Sequence, residues 1–138
     1  MKSLKTPLRY PGGKSRACTK MDQYFPDLRN YKEFREPFLG GGSVAIHITK
    51  KYPTLDIWVN DLYEPLYNFW CVLRDQSQDL CETLREYKST NATPELAREL
   101  FQQMKVEVND KENPHLQRAA AFYVVNKCSF SGLTESSS

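Results

Sequence analysis

The chain has 138 residues, 40% hydrophobic and 26% charged, with a net charge of only +2. That is enough for one globular domain with a sizeable core, and it excludes a disordered or membrane-spanning chain. The longest apolar runs, such as Ala119 to Val125, are far too short to cross a bilayer, and no apolar stretch follows the basic N-terminus to make a signal peptide, so a cytoplasmic location with no membrane partner is expected.

The charge is unevenly placed. The first 20 residues carry Lys2, Lys5, Arg9, Lys14, Arg16 and Lys20 and no acidic residue. Such a segment is either a polyanion-binding surface or a solvated terminus. Cys18, Cys71, Cys81 and Cys128 are widely spaced, and neither His47 nor His115 lies near one of them. Reduced thiols are expected, with no disulfide framework and no metal.

In chain order, residues 5 to 14 combine Pro7 and Pro11 with Gly12 and Gly13, which forbids a regular helix and predicts a shaped loop. A helix is expected from Ser15 to Phe25, with Ala17, Met21 and Tyr24 or Phe25 on one stripe, ended by Pro26. Phe34 to Phe38 reads as a strand with Pro37 at its C-terminal end, where no ladder donor is needed. Gly40, Gly41 and Gly42 follow, Ser43 is placed to cap a helix running to about Lys51, and Leu55 to Val59 forms a second strand. From Glu64 the pattern turns helical. Leu66, Phe69 or Trp70 and Leu73 mark one helix, and Leu80, Leu84 and Tyr87 a second. Thr93 and Pro94 open a third as N-cap and first-turn proline, and His115 to about Asn126 is the last. Residues 106 to 114 read as a loop. Only two strands appear, fewer than an open parallel sheet needs to bury its faces.

The stretch from residue 34 to 61 carries the chemistry. Consecutive glycines after a strand admit positive φ and let a ligand approach the main chain, and the helix behind them offers unpaired N–H groups. The string GGGS lacks the G-x-G-x-x-G spacing, with Ala45 in the third glycine position, so a purely structural turn stays open. Asp61, at the end of the second strand, is placed to accept the hydroxyls of a ribose or, alternatively, to cap the helix near Glu64. Glu36 lies in the strand entering the turn. Its carboxylate would repel a pyrophosphate and attract a cofactor bearing a sulfonium and an amine, which favours S-adenosyl-L-methionine over a dinucleotide; a salt bridge to Arg35 or Lys14 is the alternative. The PGGK loop misses the phosphate-loop pattern, and Lys14 is instead placed to meet the carboxylate end of an amino-acid cofactor. In NKCSFSGLT, Lys127 and Phe130 suit DNA contacts, or the segment is an ordinary helix end with Phe130 in the core.

Together these segments resemble the N-terminal part of the D12-class N6-adenine-specific DNA methyltransferases, the DNA adenine methylase family. PLRYPGGK (Pro7 to Lys14) is similar to that family's first cofactor motif, REPFLGGGSV (Arg35 to Val44) to its glycine motif, WVNDLYEPLYN (Trp58 to Asn68) to its acidic ribose-binding stretch, and NKCSFSGLT (Asn126 to Thr134) to the segment that meets DNA. The resemblance implies an α/β, partial Rossmann-like methyltransferase fold with a helical insertion, in which residues 1–62 bind cofactor and residues 63–138 begin the DNA target-recognition domain. It implies a cofactor pocket of Tyr10, Lys14, Glu36, Phe38, Gly40, Gly42 and Asp61, with Asn126, Lys127 and Phe130 near double-stranded DNA. The family's catalytic Asp-Pro-Pro-Tyr tetrad does not occur in these residues, where the prolines after residue 65 are Pro94 and Pro114. The expectation is therefore a chain lacking the C-terminal catalytic half. It would be inactive alone, with a complementary C-terminal fragment as a further partner, or would act as a non-catalytic cofactor- or DNA-binding fragment.

Overall fold

The computed structural model describes residues 4–129, which form two compact units divided between Leu62 and Tyr63. In the first unit a parallel pair of short strands, β1 (Glu33–Glu36) and β2 (Asp56–Val59), is joined through the helix α2 (Ser43–Lys51), with the short helix α1 (Cys18–Met21) ahead of them. The strands pair in register from Glu33 opposite Asp56 to Glu36 opposite Val59. The ladder continues past them: Asn60 N–H donates to the Glu36 carbonyl and Leu39 N–H to the Asn60 carbonyl, each at 2.9 Å. Pro37 falls just outside β1, where its missing N–H costs nothing.

Strand alternation decides which side chains face inward. Phe34 and Glu36 of β1 lie half-buried on one face, with Glu33 and Arg35 exposed on the other; Ile57 and Val59 of β2 repeat the pattern. Leu28, Ile48 and Leu55 are the fully covered centre, wrapped by Phe25, Phe34, Val44, Tyr52 and Ile57. Glu36 is carried to the covered face by the same period-two geometry that buries Phe34.

The helix expected from Ser15 to Phe25 is shorter: α1 covers four residues, and the chain then tightens into a 3₁₀ turn at Asp22–Tyr24. Tertiary contacts override the stripe. Asp22 is drawn to α2 by His47 (2.9 Å) and Lys51 (3.2 Å), Phe25 packs edge-on against Phe34, and Tyr24 is left in solvent. The cap of α2 also differs. Gly42, at φ 72°, is the N-cap, and Ser43 is the first helical residue, its hydroxyl 2.7 Å from that of Ser15.

The second unit is a helical bundle of α3 (Glu64–Asp75), α4 (Ser77–Thr90), α5 (Pro94–Glu107) and α6 (His115–Cys128). The consecutive Ala119, Ala120 and Ala121 make α6 thin enough to be packed by α3, α5 and α4, and all three are fully buried. Phe69 stands at the centre, against Phe122, Tyr123 and Trp70. Thr93 caps α5 through Leu96 N–H, with Pro94 behind it, as the sequence predicts. Helix α5 runs on to Glu107, into the segment read as a loop, because Val108 at its end is buried in the bundle. Among the described residues no helix is long and apolar enough to cross a membrane.

Candidate functional site

The glycine turn is a crossing point for three segments of the first unit. Gly40 and Gly42 hold φ of 51° and 72°, values that strain any side chain. Gly40 N–H donates to Asp61 Oδ2 at 2.9 Å, so the carboxylate after β2 braces the turn after β1. Asp61 does not cap α3, whose N-cap is Tyr63. From the other side the N-terminal loop lies down on the turn. Thr6 donates its hydroxyl to the Gly41 carbonyl, and the Tyr10 ring covers Gly40 and Gly41. A Cβ on Gly41 would stand 2.8 Å from that of Tyr10, and one on Gly40 would stand 3.0 Å from the ring. These two glycines are therefore required by packing within the chain as well as by any ligand.

Glu36 sits beneath this crossing. It forms no ion pair among the described residues, for Arg35 pairs with Glu33 and Lys14 donates to the Gly12 carbonyl at 2.6 Å. Its carboxylate accepts a hydrogen bond from Ala45 N–H, in the first turn of α2, while Oε2 is buried with no hydrogen-bond partner. Burial pushes its carboxyl up to about 7, against the pull of the Ala45 N–H, and the charge of Asp61 pushes the same way. An orphaned buried acceptor beside a second carboxylate attracts a cation or an N–H donor and repels a phosphate. One of the helix N-terminal donors a pyrophosphate would use is also already taken by Glu36. These residues fit a cofactor carrying positive charge.

The remaining expected residues are less gathered. Phe38 is 86% exposed, and Lys14 is exposed on its loop. Tyr10 also walls a hollow of about 370 Å³ with Thr6, Gly12, Gly13, Ser15 and Ser43, which Glu36 and Asp61 do not line. Sequence reasoning missed Thr6, Ser15 and Cys18, whose thiol donates to the Lys14 carbonyl at 3.2 Å. No spacing signals the contacts that bring them to the turn, Thr6 to Gly41, Ser15 to Ser43 and the Cys18 thiol to the Ser43 carbonyl at 3.7 Å, since those partners lie on another segment. In the second unit Asn126, expected near DNA, is fully buried, Lys127 holds its ammonium 5.3 Å over the Tyr123 ring, and Phe130 lies outside the described residues.

Comparison with known proteins decides the family: the model of the D12 class N6 adenine-specific DNA methyltransferases matches residues 10–138. The chain belongs to this methyltransferase family. A relative within the reach of the match is the Type II methyltransferase M.MjaIII of Methanocaldococcus jannaschii, 26% identical over 94% of this chain. The chain spans about half of that relative, 47% of its length. A helix-rich architecture with a small parallel sheet is compatible with part of a D12-class methyltransferase fold. Among the described residues no group of three or more metal-ligating side chains is present.

Proposed function

We propose that this chain forms the cofactor seat and the start of the target-recognition region of an S-adenosylmethionine-dependent enzyme that methylates adenine N6 in duplex DNA. The orphaned, buried Glu36 carboxylate beneath the glycine turn carries the reading. S-adenosylmethionine supplies a methyl group on a positively charged sulfur. Toward it Glu36 would offer the counter-charge, Asp61 would accept the ribose hydroxyls while bracing Gly40, and the glycines 40 and 42 would let the ligand reach the main chain. Tyr10 and Phe38 would flank it, and Lys14 would meet its carboxylate end. Residues 1–62 would be the part of a Rossmann-like domain that binds cofactor, and residues 63–138 the helical region that approaches DNA, with Lys127 and Phe130 as contacts. Asn126, being buried, would support that helix end from within.

Titration of the chain with S-adenosylmethionine tests the seat. Saturable binding is expected, and Asp61→Ala is expected to weaken it about 100-fold, as two hydrogen bonds of roughly 1.5 kcal/mol each are lost. Asp61→Asn, which keeps an acceptor for Gly40 N–H, should lose less. Absence of binding by the wild-type chain would reject the seat and leave the glycines a packing role.

Methyl transfer needs a group that accepts hydrogen bonds from the adenine amine as charge develops on nitrogen, and a base taken out of the stack. The 138 residues contain no Asp-Pro-Pro-Tyr tetrad to do this. The chain by itself is expected to transfer no labelled methyl group to duplex DNA, and to depend on a complementary C-terminal portion. Measurable turnover by the 138-residue chain alone would refute this part of the proposal.

A further inference from the structure

Residues 10–13 read Tyr-Pro-Gly-Gly and form a tight turn. Gly13 N–H donates to the Tyr10 carbonyl at 3.0 Å, Pro11 presets the second position, and Gly12, at φ 69°, fills the third, where a side chain is strained. Tyr10, the first residue of the turn, is the one whose ring covers Gly40 and Gly41. The chain is fastened on both sides of it. Ahead, Leu8 is buried and the Thr6 hydroxyl donates to the Gly41 carbonyl. Behind, the Ser15 hydroxyl meets that of Ser43 at 2.7 Å, and the Cys18 thiol reaches the Lys14 and Ser43 carbonyls at 3.2 and 3.7 Å. Residues 9–13, between these anchors, are exposed.

A glycine such as Gly40 opens the main chain to a ligand only where nothing else lies on it, and here the Tyr10 ring does. The ring has somewhere to go. The hollow of about 370 Å³ is walled by Tyr10, Gly12 and Gly13 of the turn and by Leu8, Ser15 and Ser43 of its anchors. A cavity of about 150 Å³ holds a benzene ring, so this one has room for a phenol. Tyr10 is already 38% exposed, so moving it off the glycines gives up only part of its apolar burial. We propose that the turn at residues 10–13 is a flap that closes over the glycines and swings its Tyr10 ring aside to admit the cofactor, while the anchors on either side stay in place. The identity of the ligand rests on the function proposed above; the flap rests on the turn, its anchors and the hollow.

Nitrogen-15 relaxation dispersion on the 138-residue chain, with no ligand added, tests the motion. Millisecond exchange is expected at the amides of Gly12, Gly13, Gly40 and Gly41 in wild type, and in Tyr10→Ala it should vanish from Gly40 and Gly41. Static amides at all four positions in wild type overturn the flap. Stopped-flow mixing with S-adenosylmethionine tests the gate, with circular dichroism to verify that the variants fold. With the open form at about a tenth of the population, Tyr10→Ala should bind about tenfold faster than wild type, and Tyr10→Phe, which keeps the ring, no faster. Gly41→Ala should also bind faster, because its Cβ would stand 2.8 Å from that of Tyr10 and push the flap open, while the backbone there has no positive φ to strain it. An association rate unchanged in Tyr10→Ala, with only dissociation accelerated, makes the ring a fixed wall of the seat and overturns the gate. Wild-type chain that shows the exchange yet binds no S-adenosylmethionine overturns the cofactor reading, and the gate with it, while the exchange itself still supports the flap.

Discussion

Near pH 8.5 the Glu36→Gln variant is expected to be more stable than the wild-type chain, while near pH 4 the two are expected to be nearly equal. Burial raises the Glu36 carboxyl from 4.5 to about 7, so the folded chain holds a proton that the unfolded chain releases. The sign follows from that. The neutral acid's advantage is complete below about pH 4.5 and is lost as pH rises through 7, and at about 1.4 kcal/mol per unit the loss totals roughly 3 kcal/mol. Glutamine keeps the shape and the acceptor for Ala45 N–H but cannot ionise, so it abolishes that slope. Urea midpoints of both proteins across this range check it, and the difference between them removes the contribution of every other titrating group. Equal pH dependence in the two proteins would mean the carboxylate is not isolated. The same group sets the pH profile of the proposed cofactor. A cationic ligand binds the ionised form, so affinity should rise through pH 7 with release of a proton and should flatten in Glu36→Gln. An affinity that falls over that range would point to an anionic ligand instead.

Removal of Glu64 is expected to cost the helical unit about 2 kcal/mol. Arg118 lies on the buried face of α6 with its side chain 5% exposed, and its guanidinium meets both oxygens of Glu64 at the start of α3, one of them at 3.0 Å. The other contact is the Val108 carbonyl at 3.5 Å, and Nε is buried with no partner. Glu64→Ala leaves a buried charge almost alone, a loss that reaches about 3 to 5 kcal/mol where both partners are buried. Glu64 is 46% exposed, so water on its side lowers the figure. The Arg118 hydrogen bond holds the Glu64 carboxyl below its usual range, so this stabilisation is present above the unfolded value near 4.5 and fades as pH falls through the folded one. Replacing both partners by apolar residues should restore most of the loss. Denaturation of a Trp58→Phe background reports it, because Trp70, packed edge-on against Phe69, then follows the helical unit alone.

Much of this molecule is legible locally. Pro37 and three glycines end one strand and open a helix, Thr93 with Pro94 opens α5, and the apolar stripes of α3 and α6 mark the bundle core. Each of these is a property of neighbouring residues, as dihedral preference, capping and periodicity are. The positions of Glu36 in a half-buried strand and of Asp61 after the next strand were also legible, since both carboxylates are conspicuous in the sequence alone.

The sequence by itself therefore determined the strand, glycine turn, helix and strand, and the two carboxylates that they carry. Only the tertiary structure decided which donors and acceptors those residues actually meet. It laid Tyr10 across Gly40 and Gly41, joined Gly40 to Asp61 and gave the capping position to Gly42. It also shortened α1 by drawing Asp22 onto His47 and Lys51, buried Asn126, and paired Arg118 with Glu64. These contacts span tens of residues, and their energies depend on burial and on the direction of single lone pairs, quantities fixed only once the chain has closed on itself.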